Sequence, residues 1–222
     1  MQKLTFYHGT DARILSMSKE ERLSYLADVD LALEHLWTIW EPICHKTVIK
    51  ELRYPNGEFM GTLPISYLKS IKQRFIDAGE ETLYYGLLSH VSIMDWSKQG
   101  APRYQYGALY FNWSDRKASL FAHDSYAGGE RGIIAYFMLK GAAFLGLSLG
   151  NPDNRTYQAI QRVKSFAEAK EREPVIVVLN DVALEDLLSE GGGPVMGPII
   201  SGESYRYMKD VDLSLYPIRH LH

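Results

Sequence analysis

Residues 106–122 read YGALYFNWSDRKASLFA, and the two halves of this stretch differ in character. Its first half, residues 106–112, is aromatic and β-prone, which predicts a strand. Its second half, residues 114–122, begins with a serine that can cap a helix. The sequence therefore predicts a helix joined to the strand by almost no loop. Because such a pair packs together, we expect both elements to present side chains to one place in the fold.

Four other segments predict strands. Residues 3–7 (KLTFY) are β-prone and run into HGT, which indicates a strand followed by a turn at Gly9. Residues 174–179 (PVIVVL) form an unbroken apolar run, which is typical of a central strand buried on both faces. Two closing strands are predicted at residues 205–208 and 213–221.

Helices are predicted for most of the remaining chain. Ser18 and Glu21 have the spacing of a capping box, and apolar residues at helical intervals predict a helix that ends at Pro42. The run PNG at residues 55–57 indicates a turn. Further helices are predicted at residues 64–78 and 80–90. Residues 130–171 are predicted to be helical throughout, and Asn154 within this region can act as a helix cap.

Residues 132–150 (GIIAYFMLKGAAFLGLSLG) are nearly long enough to span a bilayer. Lys140 lies at the midpoint, where a charge costs roughly 2.5–3.5 kcal/mol on insertion. We therefore predict a buried helix or helix-turn, in which Gly141, Gly146 and Gly150 permit close packing. The start of the chain lacks the apolar stretch of a secretory signal, so we expect it to begin at its first strand.

The composition is that of an ordinary globular protein. The chain has 222 residues, of which 46% are hydrophobic and 23% charged, and this excludes disordered, collagen-like and coiled-coil classes. A formal charge of -3 gives no overall basic field for nucleic-acid binding, although a local basic groove stays possible. The single cysteine, Cys44, excludes an intramolecular disulfide and fits a reducing cytosol. We expect a cytoplasmic protein with one core and a helical insertion.

Common catalytic motifs do not occur. The sequence has no phosphate-binding loop of the GxxxxGK type, no GxGxxG, no GxSxG and no HExxH. Residue types that can bind a metal occur at Cys44 and His45, together with His35 or His90. Two adjacent ligands strain a tetrahedral site, however, and no second pair has suitable spacing. We expect no metal.

Three separated features remain, each beside a short β-prone run. His8 precedes Gly9, which places an imidazole next to backbone that a flat ligand can approach closely. Tyr110 and Phe121 can turn two aromatic faces toward one ligand. Glu203 follows a run with five glycines and two prolines, EGGGPVMGPIISG, which predicts a loop. Taken singly, the histidine and the two rings are more often structural, so only the combination indicates a site.

The residues resemble a known family. The segments YHGT, ALYFNWSDRKASLFA, VIVVLNDVAL and GESYRYMKDVDLSLYPIRHL are similar, in this order, to successive segments of ADP-ribosyltransferases of the diphtheria-toxin and poly(ADP-ribose) polymerase branch. That branch has a histidine, tyrosine and glutamate triad as its signature. The HGT start is also similar to that of small bacterial members such as the rifampin-modifying transferases. The middle helical regions are not covered by the resemblance.

The resemblance implies a fold. It would be an α+β ADP-ribosyltransferase fold in which two facing antiparallel sheets form a cleft for NAD+. Residues 1–222 would form a single catalytic domain, with helical segments at about 12–100 and 130–171 packed on the sheets. In that fold His8 would hydrogen-bond the adenosine-side ribose and the backbone of Gly9 would hold the carboxamide of nicotinamide, with Thr10 beside it.

The resemblance also implies roles for the remaining site residues. The rings of Tyr110 and Phe121 would enclose nicotinamide, and Glu203 would be the catalytic glutamate, with His8 and Tyr110 completing the triad. Phe121 stands where polymerases usually have tyrosine, which preserves stacking. Ser201 stands where arginine-modifying toxins carry Glu or Gln, which argues against arginine as the acceptor.

The chemistry of NAD+ cleavage agrees with these roles. Breaking the bond between nicotinamide and ribose creates an oxocarbenium-like centre, so a site must hold the leaving group flat and place a carboxylate near the developing charge. We therefore predict a mono-ADP-ribosyltransferase that uses NAD+ as its substrate, without a metal, and that acts as a toxin or effector of the bacterial type. The alternatives are an NAD+ glycohydrolase toxin, a non-catalytic NAD-binding module, and a helical interaction module without a nucleotide site.

The acceptor is left open between protein and nucleic acid. A basic set could gather around the cleft if residues 130–171 fold over it, namely Arg116, Lys117, Arg131, Arg155, Arg162 and Lys164. A neutralising antitoxin or inhibitor is a further possible partner, and no membrane partner is expected.

Overall fold

The computed structural model describes residues 3–99, 110–124, 127–189, 195, 204–207 and 213–221. Its strands are β1 (Lys3–Asp11), β2 (Thr47–Arg53), β3 (Phe59–Ser66), β4 (Tyr110–Asn112), β5 (Pro174–Ala183), β6 (Leu187–Ser189), β7 (Ser204–Tyr207) and β8 (Ile218–His220). Its helices are α1 (Ala12–Ser16), α2 (Lys19–Cys44), α3 (Tyr67–Ser70), α4 (Lys72–Asp77), α5 (Glu81–Lys98), α6 (Asp115–Asp124), α7 (Glu130–Leu145) and α8 (Asn154–Glu168). The protein is therefore of mixed α+β class, as predicted.

Six strands form one antiparallel sheet in the order β6-β7-β4-β1-β5-β8. Strand β5 lies inside it, and Val175, Ile176 and Val177 are fully buried because helices and loops cover both faces of the strand. The central strand predicted at residues 174–179 is confirmed, and it continues to Ala183. Strand β1 pairs with β5 along its length, whereas it pairs with β4 at a single position.

The sheet differs from the prediction in three respects. The turn predicted at Gly9 is wrong, because β1 continues through Gly9 to Asp11 and pairs with β5 there. Two facing sheets were expected, but the part of the chain that the structure describes contains this six-stranded sheet and a separate hairpin of β2 and β3. The prediction of one continuous strand at residues 213–221 is wrong, because Leu213–Leu215 form a 3-10 turn and only Ile218–His220 are extended. Pro217 between them has no N–H to donate to a ladder.

The helical layer is built around α2. Ser18 caps this helix by accepting a hydrogen bond from the Glu21 amide (3.2 Å), and the Glu21 carboxylate accepts one from the Ser18 amide (2.8 Å), so the predicted capping box is confirmed. The predicted end at Pro42 is wrong, because the helix continues through this proline to Cys44. It has 26 residues and is about 39 Å long. Its buried stripe packs against α5, α7 and α8, and the indole of Trp40 donates to the Met138 carbonyl (3.0 Å). Leu23 and Leu26, which fit the same periodicity, are exposed.

Residues 12–100 are not helical throughout. The turn predicted at residues 55–57 is confirmed, with Gly57 at φ 87°, but it connects β2 to β3 in a hairpin that the sequence analysis missed. The helix predicted at 64–78 therefore starts late and is divided into α3 and α4. The helix predicted at 80–90 is α5, which runs on to Lys98.

The predicted continuous helix at residues 130–171 is interrupted. Helix α7 ends at Gly146, which adopts a left-handed conformation at φ 67° that favours glycine, and α8 is capped by Asp153 rather than by Asn154. Gly141 fits tightly against Leu87 and Trp40, as predicted, whereas Gly146 and Gly150 lie in exposed turns and not in close packing. The expectation of a buried helix within residues 132–150 is confirmed by α7. In the part that the structure describes, every helix is too short or too polar to cross a membrane.

A buried ion pair joins the sheet to the helical layer. Asp11, at the end of β1, is 2% exposed, and its carboxylate accepts hydrogen bonds from Nε (2.8 Å) and Nη2 (2.7 Å) of Arg13. Arg13 also donates to the Phe166 carbonyl in α8 (2.9 Å) and lies over the Phe166 ring. The end of β1 is thereby fixed against the helices.

Candidate functional site

The three predicted features lie on neighbouring strands. Strand β1 carries His8, Gly9 and Thr10, and β4 beside it begins at Tyr110. Strand β7, next in the sheet, begins at Ser204, the residue after Glu203. Glu203 itself lies outside the described residues. The backbone thus brings the histidine segment, the tyrosine segment and the strand that follows Glu203 in sequence to adjacent positions.

Among the described residues, the ladder between β1 and β4 stops at Tyr7, and we call the stretch of β1 beside Gly9 the gap in this ladder. The Ala12 amide donates to the Glu173 carbonyl (2.8 Å). Because every second residue of an antiparallel strand turns its backbone groups to the same neighbour, those of Thr10 and His8 also point toward β5. The backbone N–H and C=O of Gly9 therefore point toward β4. In the described residues β4 is paired with β1 at Tyr7 and Asn112 and not at Gly9, so the Gly9 groups face this gap in the ladder.

Helix α6 packs directly on Gly9. A Cβ added to Gly9 would overlap the carbonyl oxygen of Ala118 and come within 2.5 Å of the Ala122 amide nitrogen. Both alanines are buried. The interpretation that this glycine leaves space for a ligand is therefore corrected: the missing side chain makes room for α6, and only the backbone edge of Gly9 faces the gap.

Phe121 lies on the outer side of α6. Its ring is 46% exposed, and Nζ of Lys117 lies 5.9 Å from the ring centroid. The predicted strand and helix of residues 106–122 are confirmed from Tyr110 onward, and residues 106–109 lie outside the described part. Tyr110 is described only by its backbone in β4, so the enclosure of one ligand by its ring and that of Phe121 stays a prediction.

The His8 ring contacts an aromatic ring on β4. The partly buried His8 ring lies 5.4 Å from the ring of Phe111 on β4, at an interplanar angle of 53°. Phe111 is fully buried and is part of the core below the sheet. Thr10 is also buried. His8 is therefore held at the β1–β4 junction by an aromatic neighbour.

Sequence reasoning missed a buried polar pair at the same junction. Asn112 on β4 and Ser204 on β7 face each other in the register, and the Ser204 hydroxyl donates to Oδ1 of Asn112 (3.2 Å). Both residues are buried. The bond fixes the strand start that follows Glu203. No local pattern signals it, since 92 residues separate the two partners.

Basic residues near the proposed insertion are held in ion pairs. Arg131 pairs with Asp30, and Nη1 of Arg162 contacts the Asp28 carboxylate at 2.6 Å. Both acidic partners belong to α2, so these two arginines are engaged within the helical layer.

Two of the four residues weighed as metal ligands have other partners. His35 bonds through Nε2 to the Leu149 carbonyl (2.8 Å), and His45 pairs with Asp95 (3.0 Å). Burial lowers the pKa of His90 to about 4 and raises the pKa of the Cys44 thiol to about 12. Over the described ranges, we find no cluster of three His, Cys, Asp or Glu side chains that could hold a metal ion.

Comparisons with protein-family models, with curated proteins and with solved structures found no match to this chain.

Proposed function

We propose that the protein is a mono-ADP-ribosyltransferase that cleaves NAD+ and transfers ADP-ribose to a macromolecular acceptor. One observation carries the proposal. Three segments that are far apart in the chain, and that resemble the histidine, tyrosine and glutamate blocks of these enzymes, lie on the adjacent strands β1, β4 and β7. The expected fold, with an NAD+ cleft, belongs to the same proposal.

The gap beside Gly9 supports a place for nicotinamide. The Gly9 backbone presents an N–H and a C=O toward β4, which are the two groups that a carboxamide needs. Phe121 belongs to the helix that is seated on Gly9, and it is next in sequence to Ala122, whose backbone contacts that glycine. In the proposed mechanism the rings of Phe121 and Tyr110 hold nicotinamide flat while it leaves.

Glu203 is the proposed catalytic residue. Its carboxylate would accept a hydrogen bond from the ribose 2′-hydroxyl and stabilise the oxocarbenium-like centre, and such electrostatic stabilisation contributes roughly 3–4 kcal/mol per group. His8 would bind the adenosine-side ribose. The Asn112–Ser204 bond supports this role, because it fixes the residue next to Glu203.

Release of nicotinamide from NAD+ tests the proposal. The purified protein should release it, and Glu203→Gln should lower the rate by about 10²–10³-fold. Glu185→Gln, at an exposed glutamate in the 3-10 turn before β6, is the matched control and should keep the full rate. Equal rates for the two variants would remove Glu203 from the site, and no release by the unmodified protein would refute the enzymatic proposal.

Product analysis separates transfer from hydrolysis. Free ADP-ribose as the sole product would favour an NAD+ glycohydrolase, whereas label from NAD+ on a macromolecule establishes transfer. With a cell lysate as the acceptor pool, protease and nuclease digestion then distinguish protein from nucleic acid. A role as a cytoplasmic toxin or effector is proposed by analogy with the family that the sequence resembles.

A further inference from the structure

The β2–β3 hairpin has an unusually apolar surface for an exposed element. Ile49 is 66% exposed and Phe59 59% exposed, and Tyr54, Met60 and Leu63 are each exposed by nearly half or more. In the part of the chain that the structure describes, the two strands pair only with each other. An isolated two-stranded hairpin is marginal in water, and apolar surface of this kind marks interaction sites.

The two outer edges of the hairpin are not equivalent. The Tyr67 amide donates to the Lys46 carbonyl (2.8 Å). Because hydrogen-bonded and non-hydrogen-bonded pairs alternate along an antiparallel ladder, Val48 and Ile65 form the next hydrogen-bonded pair. The backbone groups of the pair that follows it, Ile49 and Pro64, therefore point outward. On the β3 edge the outward position is occupied by Pro64, which has no N–H and obstructs strand addition. On the β2 edge Ile49 presents both an N–H and a C=O. Only the β2 edge is therefore suited to pair with another strand.

A groove of about 420 Å³ runs along the β2 edge. Three consecutive β2 residues line it, Val48, Ile49 and Lys50, together with Ile65 of β3. Since successive strand residues point to opposite faces, a groove that all three line must follow the strand edge. The other wall is formed by α3 and α4, whose lining residues are Lys69, Ser70, Lys72 and Gln73.

The groove is cationic although the chain is not. Residues 46–74 contain six Lys and Arg against two Glu, whereas the whole chain has a net charge of -3. Lys50, Lys69 and Lys72 all line the groove. Lys72 is held by a hydrogen bond that its Nζ donates to the Tyr85 hydroxyl (2.6 Å). The positive charge is therefore concentrated where an added strand would lie.

We propose that the β2 edge binds an extended acidic segment of a partner protein, which adds as a third strand and places its carboxylates near the three lysines. Main-chain hydrogen bonds to Ile49 would supply affinity, and the lysines would select acidic side chains. Pairing with a second copy of this chain is disfavoured, because a two-fold arrangement of β2 beside β2 would bring the positively charged lysines of both copies together. The proposal does not depend on the enzymatic activity proposed above.

Fluorescence anisotropy with labelled peptides tests the proposal on the full chain. The probe is an eight-residue peptide that alternates valine with glutamate, and the comparison peptide has lysine in place of glutamate. We expect saturable binding of the glutamate peptide that is at least tenfold tighter than that of the lysine peptide. Equal affinities, or no saturable binding of the glutamate peptide, would overturn the proposal.

Two variants separate charge from backbone pairing. Lys50→Glu combined with Lys69→Glu should weaken peptide binding at least tenfold. Lys19→Glu combined with Lys170→Glu, at two exposed lysines that do not line the groove, makes the same change in net charge and should leave binding unchanged. Ile49→Pro removes the outward N–H together with the isoleucine side chain, while the hydrogen bonds between β2 and β3 do not use this N–H. It should also weaken binding at least tenfold, with the circular dichroism spectrum preserved. Retained binding by Ile49→Pro would overturn strand addition, and retained binding by the variant with both groove lysines replaced would overturn the selection of acidic side chains.

Other occupants give different results in parallel measurements. Binding of a twenty-nucleotide oligothymidylate or of phosphatidylglycerol vesicles that is as tight as peptide binding, and equally sensitive to the two lysine substitutions, would replace the proposal with a general anion surface. Sedimentation that shows a dimer, converted to a monomer by Ile49→Pro, would assign the edge to a second copy and refute the proposal.

Discussion

Gly9 on β1 and Ala118 on α6 are in backbone contact, with no space for a side-chain carbon between them. This contact fixes the distance between the strand that carries His8 and the helix that carries Phe121. The candidate site is thus positioned by backbone packing, which adjusts less easily than side-chain packing.

Gly9→Ala should destabilise the protein by about 1–3 kcal/mol, because the new methyl group meets backbone atoms of α6 that cannot rotate away. Urea unfolding measures the change. Gly141→Ala is a suitable comparison, because a Cβ added there would lie 2.7 Å from the side-chain end of Leu87 and 3.1 Å from the indole of Trp40. We expect the smaller loss there. A larger loss for Gly141→Ala would contradict the ranking of backbone above side-chain contacts.

Phe121→Ala should weaken NAD+ binding by about 2–10-fold, because one stacking face is lost, and Phe121→Tyr should bind like the unmodified protein. The ring is 46% exposed, so stability should change by no more than about 0.5 kcal/mol. Isothermal titration with NAD+ gives the affinity. Leu120→Ala, at an exposed neighbour on α6, is the control and should bind NAD+ normally. Unchanged affinity in Phe121→Ala would exclude the ring from the site.

Asp11→Ala should lower the free energy of unfolding by about 3–5 kcal/mol, because it leaves the Arg13 guanidinium without its buried carboxylate. Asp115→Ala breaks an exposed ion pair with Arg219 (3.1 Å) and should cost only about 0–1 kcal/mol. Thermal and urea unfolding of both variants compare the two pairs. Similar losses would show that burial of Asp11 adds nothing to its ion pair.

His90 should make the protein less stable at acidic pH. Burial lowers its pKa from 6.5 in the unfolded chain to about 4 in the folded protein, so the unfolded state binds the proton more readily. Stability should therefore fall as the pH drops from about 6.5 to about 4, by up to about 1.4 kcal/mol per pH unit for this proton. His90→Leu should flatten this part of the unfolding profile, and His123→Gln, at an exposed histidine on α6, should not. A profile unchanged by His90→Leu would assign the dependence to other groups.

Elements with a strong local signal were predictable from the sequence. The apolar run of β5 and the capping box of α2 depend on neighbouring residues, and both are confirmed. The β2–β3 hairpin was missed because its strands expose most of their side chains and so show no clear alternation between buried and exposed positions. Only its turn at residues 55–57 carried a local signal.

The candidate site was predictable as a set of segments but not as a geometry. The resemblance identified His8, Tyr110 and Glu203, and the structure places their strands side by side for the parts that it describes. The contact of Gly9 with Ala118 and the bond of Asn112 with Ser204 join residues about a hundred positions apart, where no periodicity connects them. Such partners are set by tertiary packing alone.

Helix α2 also has a kinetic consequence. It begins eight residues after Asp11, at the end of the site-bearing strand, and ends at Cys44, three residues before β2. A helix of about 39 Å thus connects the two regions along the chain. A partner bound at the hairpin would leave the gap beside Gly9 open, so it would act non-competitively toward NAD+, and saturating nucleotide would not displace it.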